Sequence, residues 1–109
     1  MEQPPCIYVR KHQTLHRVNY SNISYINAEG NYCYLILDDQ RKHAVKISLR
    51  QLVAQLPPEQ FIRIHKSYVI NLDFVTKFDF KARQAYLGTE CIPIGRTYVQ
   101  NIMDRILVV

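Results

Sequence analysis

The sequence predicts a mainly β domain, with short antiparallel strands in small stacked sheets and one or two short helices. Three observations carry this. Apolar and polar residues alternate in short runs separated by Gly, Asn, Asp or charged turn residues, which is the period-two pattern of strands. Helical periodicity occurs only twice, at Leu49–Leu56 and Val99–Ile106. A chain of 109 residues suffices for one domain with a core but not for two, and with so few helices parallel crossover units are not expected.

Met1 to Pro5 is polar and Pro-rich and reads as a linker remnant, so the domain is placed at residues 6–109. Ile7–Arg10 and Leu15–Asn19 form a hairpin around Lys11-His12-Gln13-Thr14. His12 and His16 lie four apart, a spacing that converges on a helix but not on a strand. No carboxylate or Cys joins them, and no metal site is expected. Ser24–Glu29 and Tyr32–Leu37 are strands joined through Gly30-Asn31. Tyr32, Tyr34 and Ile36 share one face of the second, and Cys33, Leu35 and Leu37 the other. Both faces are apolar, which predicts a central strand. Asp38-Asp39-Gln40 turns the chain into a strand over Lys42–Ile47.

Ser48 and Gln51 have the spacing of a capping box, and Ile47 can staple onto Leu52, so a helix opens at Ser48. Its stripe is Leu49, Leu52, Val53 and Leu56, and Pro57-Pro58 stop it. That stripe is a packing face. Phe61–Asn71 then reads strand, turn, strand around Lys66-Ser67, followed by a connector to Phe74. Val75–Phe80, Gln84–Leu87 and Glu90–Ile94 are strands linked at Lys81-Ala82-Arg83 and Gly88-Thr89. Thr97 and Gln100 repeat the capping-box spacing ahead of Val99, Ile102, Met103 and Ile106, which predicts a last helix with Arg96 just before its amino terminus. Backbone amides and the helix dipole make that a place to hold a phosphate; a surface salt bridge is the other reading of Arg96.

The central hairpin collects Arg63, His65, Lys66 and Ser67 at one end. On these residues alone a polyanion site and a solvated hairpin end fit equally. Fourteen Lys plus Arg against nine Asp plus Glu gives a net charge of +5, which favours an acidic partner, nucleic acid before an anionic membrane. Cys6, Cys33 and Cys91 are odd in number and widely spaced, as reduced thiols would be. No apolar run suggests a membrane span and the N-terminus lacks the features of a signal peptide, so a cytoplasmic protein is expected. No Gly-rich phosphate loop, metal-ligand set or paired acid and base is evident. An enzyme is therefore not expected, and no cofactor is implied.

Phe61-Ile62-Arg63-Ile64-His65-Lys66-Ser67-Tyr68-Val69-Ile70-Asn71 resembles the signature of the LytTR DNA-binding domain, the output module of many bacterial response regulators. Ile23–Tyr32 resembles that family's strand and loop ending in Asn-Tyr, and Ile92–Tyr98 its closing segment. The resemblance spans roughly residues 5–107. It implies a LytTR-like fold and sequence-specific binding of double-stranded DNA, with loops in the major groove, by a transcriptional regulator, the C-terminal output domain of a two-component system. It further implies repeated half-sites, a receiver domain in the full-length protein, and a dimer on DNA that is a monomer as an isolated domain.

By the motif match, Lys66 and Arg96 fall on base-contact positions, and Asn31 or Cys33 on the third; Cys33, a weak donor and acceptor, reads bases poorly. Arg63, His65, Ser67 and Tyr98 fall on phosphate contacts, although Tyr98 equally fits a core edge. Lys46 and Arg50 flank the first helix and read first as solvated surface. The alternative is a small basic β domain that binds RNA or a protein partner, with Tyr8, Tyr32 and Tyr34 as a stacking platform.

Overall fold

A computed structural model describes residues 5–109. The linker remnant expected at Met1 to Pro5 lies outside the described residues except for Pro5. β1 (Cys6–Lys11) and β2 (Thr14–Asn19) form a two-stranded hairpin. β3 (Ile23–Glu29), β4 (Tyr32–Leu37), β5 (Lys42–Val45), β6 (Phe61–His65) and β7 (Tyr68–Asn71) build one antiparallel sheet in the order β5-β4-β3-β7-β6. β8 (Lys77–Asp79), β9 (Gln84–Leu87) and β10 (Glu90–Pro93) build a second, ordered β10-β9-β8. Two five-residue helices complete the chain, α1 (Leu49–Val53) and α2 (Val99–Met103). The expected class of small antiparallel sheets with few short helices is the observed one.

The five-stranded sheet is covered on both faces. Ile26, Leu35, Phe61 and Val69 pack against Leu49, Leu52 and Leu56 around α1 and against Val9 and Val18 of the hairpin. On the opposite face Ile62, Ile64 and Ile70 meet Ala85, Leu87 and Ile92 of the second sheet and Ile102 of α2. The β6–β7 hairpin is thus sandwiched, not half solvated as its alternation suggests, and Arg63 and His65 are half-buried. Fully burying one such Ile stabilises by roughly 1.5–3 kcal/mol, so this hairpin is firmly anchored on both faces. β4 lies second in its sheet, as expected of a strand with two apolar faces. Only Cys33, Leu35 and Leu37 are buried, whereas Tyr32 is exposed.

Ser48 caps α1 as its spacing predicts: its hydroxyl accepts from Gln51 N–H, and Gln51 Oε1 accepts from Ser48 N–H. The helix is shorter than its stripe because its end tightens into three-residue turns at Gln55 and Leu56. β5 stops two residues before the expected Ile47, where Ile47 N–H folds back onto the Val45 carbonyl. β8 and β10 are likewise shorter than predicted.

The second capping box does not form. Arg96–Tyr98 is a 3-10 turn closed by Tyr98 N–H on the Gly95 carbonyl, α2 starts from Tyr98 with no side-chain cap, and Gln100 donates instead to Asp104. Met103, expected in the buried stripe, is exposed. Arg96 therefore stands three residues ahead of a single short turn of α-helix, and the argument from a helix amino terminus does not hold for it.

His43 of β5 lies near the β1–β2 hairpin, and its Nδ1 is buried without a hydrogen-bond partner. Burial, with Lys11, Arg41 and His16 nearby, holds its pKa below the ordinary 6.5, while Asp39 pulls weakly the other way. The unfolded chain thus takes up this proton first as the pH falls through the ordinary value. Stability is expected to be full above that pH and to decline below it. Urea midpoints across pH 5 to 8 should slope less in His43→Gln than in the wild type; identical slopes would remove His43 as the cause.

Candidate nucleic-acid interface

Strand register gathers three loops at one end of the five-stranded sheet. Glu29 pairs with Tyr32 across the Gly30-Asn31 turn, where Gly30 adopts a left-handed φ of 60° with open space around its missing side chain. Ala28 N–H donates to the Ser67 carbonyl at 2.8 Å, which sets the Lys66-Ser67 turn level with the end of β3. Gly95 N–H donates to the Ile64 carbonyl at 2.7 Å, which seats Gly95-Arg96 beside β6. Pairing between β6 and β7 slips by one residue between Arg63 and His65, a bulge that aims the Ile64 carbonyl at Gly95.

Gly95 also allows close packing. A Cβ there would lie 2.9 Å from the Tyr98 ring and 3.5 Å from His65 Cα. The outer edge of β6 is closed elsewhere by Asn101 Nδ2 on the Arg63 carbonyl and by Arg105 Nη2 on the Phe61 and Pro58 carbonyls. These contacts block an edge that would otherwise pair with another chain, and they tie α2 and the Arg96 loop to the hairpin.

Asn31, Lys66 and Arg96, the sequence-predicted base readers, are all exposed, one on each loop. Among the described residues the one ion pair is Arg41 with Asp39, so the salt-bridge reading of Arg96 finds no partner. Glu29 is the sole carboxylate in residues 28–32, 65–68 and 94–98. Lys46, just past the Val45 and Cys33 pair, adds a cation at the same end. The end is thus strongly cationic and lies on rigid strands, the usual setting for binding loops.

Cys33 is fully buried and its thiol donates to the Ile47 carbonyl at 3.3 Å. Burial pushes the thiol pKa up, with Arg63 opposing. Its side chain points into the core with Leu35 and Leu37, away from the surface where a base would be read, so of the two candidates for the third position only Asn31 is presented.

Arg63 is a clamp. Its Nε donates to the His65 carbonyl at 3.2 Å and its Nη2 to the Lys66 carbonyl, with the guanidinium carbon 5.8 Å from the Tyr98 ring centroid. Tyr98 is half-buried beneath it, and behind the pair a cleft of about 430 Å3 opens between α1 and α2. Both guanidiniums lining the cleft, Arg63 and Arg105, are engaged with backbone carbonyls. This clamp was not foreseen from the sequence, because it depends on the bulge. Ser67 and His65 are half-buried in the same turn.

Tyr8, at 55% exposure, and Tyr32, at 42%, face solvent on different elements. Tyr20 is buried, edge-on to Phe61. Among the described residues no group of three His, Cys, Asp or Glu is placed to hold a metal, and no helix is long and apolar enough to cross a membrane.

Fold and surface together define a small basic β domain that presents three exposed loops at one end of a sheet. The chain belongs to the LytTr DNA-binding domain family, whose sequence profile matches residues 13–106. This is a DNA-binding family and not an enzymatic one. The structure is similar to the LytTr DNA-binding domain of a proposed methyl-accepting/DNA response regulator from Bacillus cereus, with a TM-score of 0.79 over 94% of this chain and 96% of that one at 19% identity. In sequence it is 31% identical to an uncharacterised response regulatory protein of Vibrio cholerae over 93 residues, covering 79% of this chain and 35% of that protein. It is 27% identical to the CO-responsive transcriptional regulator RcoM of Rhodospirillum rubrum over 101 residues, covering 83% of this chain and 40% of that protein. The chain thus spans 35% and 40% of the length of these two sequence relatives.

Proposed function

We propose that the domain reads a specific sequence in double-stranded DNA by placing its three loops in the major groove, and that it regulates transcription as the output domain of a response regulator. The observation that carries this is the convergence of Asn31, Lys66 and Arg96 on three loops at one end of a stiff sheet. Asn and Arg are the side chains that match adenine and guanine edges with two hydrogen bonds each, and Lys reaches guanine acceptors as a point charge. The cationic surroundings, with Arg63, His65, Ser67 and Tyr98 at the margins, supply phosphate contacts that fix orientation without reading sequence.

Binding as a dimer on repeated half-sites, with the isolated domain monomeric, and coupling to a receiver domain elsewhere in the full-length protein complete the reading. The receiver domain is supported by the response regulators the chain resembles. A cytoplasmic location follows from a chromosomal target.

Selection from random duplex DNA, followed by fluorescence anisotropy on the enriched sequences across a salt series, tests this. A short enriched motif bound at least ~10³ tighter than random duplex is expected. Purely salt-driven binding with no enriched motif would refute sequence reading. Stronger binding to single strands than to duplex would favour RNA as the target.

A further inference from the structure

We infer that His65 is a positioning residue for Lys66, acting through a side-chain to backbone hydrogen bond that sets the β6–β7 turn, while its second ring nitrogen remains the donor for a phosphate. This rests on the proposed DNA reading for the role of Lys66, but the turn itself is observable without DNA. Ser67 N–H donates to His65 Nδ1 at 3.0 Å. A backbone amide can only donate, so Nδ1 is the acceptor and the ring proton belongs on Nε2. The contact spans two residues, the pattern by which Asn and Asp side chains hold Asx turns.

The carbonyls of the turn are held as well. The His65 and Lys66 carbonyls accept from Arg63, and the Ser67 carbonyl accepts from Ala28 N–H. The Tyr68 ring packs edge-on to the imidazole with centroids 5.4 Å apart, which limits its rotation. The Lys66 backbone is therefore fixed on both sides while its side chain is free and exposed. A long lysine side chain reads a base usefully only when its root is fixed, because every loose backbone torsion adds ordering entropy to binding.

Two substitutions separate the nitrogens. His65→Asn keeps an acceptor at the Nδ1 position and removes the outer donor; His65→Gln can restore an outer amide but is too long to hold its own second neighbour. In the free domain, slow exchange of the Ser67 amide is expected in the wild type and His65→Asn, with at least tenfold faster exchange in His65→Gln and His65→Ala.

On the selected duplex, His65→Asn should weaken binding by less than tenfold and equally for matched and mismatched sites. His65→Gln and His65→Ala should also erase discrimination at the base read by Lys66. Adding His65→Ala to Lys66→Ala should then cost much less than it costs alone. Unchanged Ser67 exchange in His65→Ala, or strict additivity with Lys66→Ala, would overturn the inference. Absence of any selected motif with the exchange pattern intact would instead count against the DNA reading and leave the turn assignment standing.

Discussion

Asn71→Ala is expected to destabilise the domain by about 3 kcal/mol while leaving the loop end unaltered in the molecules that remain folded. Asn71 is fully buried at the end of β7. Its Nδ2 donates to the Tyr20 carbonyl at 3.2 Å and to the Ile23 carbonyl at 2.9 Å, and its Oδ1 accepts from Asp73 N–H at 2.9 Å. One side chain thus ties the turn between β2 and β3 to β7 and caps the 3-10 turn at Leu72–Phe74. Alanine removes the Asn71 bonds to the Ile23 carbonyl and the Asp73 amide and leaves the Tyr20 carbonyl with Ile23 N–H alone. Each lost bond costs on the order of 1–3 kcal/mol if the group stays dry. Water entering the vacated space recovers part of this, which sets the figure near the lower end of the sum.

Against a total stability of roughly 5–15 kcal/mol, that is a large fraction. Asn71→Asp should be worse than Asn71→Ala, because it keeps the acceptor for Asp73 but turns a charge toward two carbonyl oxygens. Asn71→Leu should not rescue, since it fills volume and satisfies nothing. Urea denaturation reads this as a lowered midpoint at unchanged slope. A midpoint for Asn71→Ala within the equivalent of ~1 kcal/mol of wild type would show that the three bonds are replaceable.

Asn71 also marks the limit of what the chain discloses about itself. In the sequence it closes a strand-like run and opens a connector, with no local sign of burial, because its two carbonyl partners lie 48 and 51 residues away. Local signals fared better. The box at Ser48 and Gln51 was legible because apolar periodicity starts at once behind it and Pro57-Pro58 close it. The same spacing at Thr97 and Gln100 was misleading, since Gly95 and Tyr98 form a 3-10 turn whose backbone bond takes up the helix start.

Cys33 is the opposite case. Period-two alternation already put it on one face with Leu35 and Leu37, so its burial was readable from the strand itself, and only the motif match kept it among the base readers. The grouping of Asn31, Lys66 and Arg96 at one end needed the strand order, and β3 pairing with β7 across more than forty residues is not written in any single segment. Nor could the Arg63 clamp be read, because alternation predicts an outward side chain and takes no account of the extra residue in β6.

Arg96→Ala is expected to remove about 1–3 kcal/mol of discrimination for the selected duplex, a factor of roughly 5 to 150, with little loss on random duplex. Arg96 is exposed, and its backbone is pinned by Gly95 on Ile64 and by the 3-10 turn through Tyr98, so the guanidinium fork starts from a fixed root. That geometry suits two parallel hydrogen bonds to a guanine edge, which a single ammonium does not reproduce. Arg96→Lys therefore separates charge from shape. If Arg96 reads a base, the lysine variant keeps the salt dependence of wild type and still loses the discrimination. If it only neutralises a phosphate, lysine restores binding almost fully, and alanine weakens specific and random duplex alike while lowering the salt slope by about one ion. Anisotropy on matched, singly mismatched and random duplexes at three salt concentrations distinguishes the two. Equal losses on matched and random DNA would remove Arg96 from the base readers, leaving Lys66 and Asn31 to carry whatever specificity the selection finds.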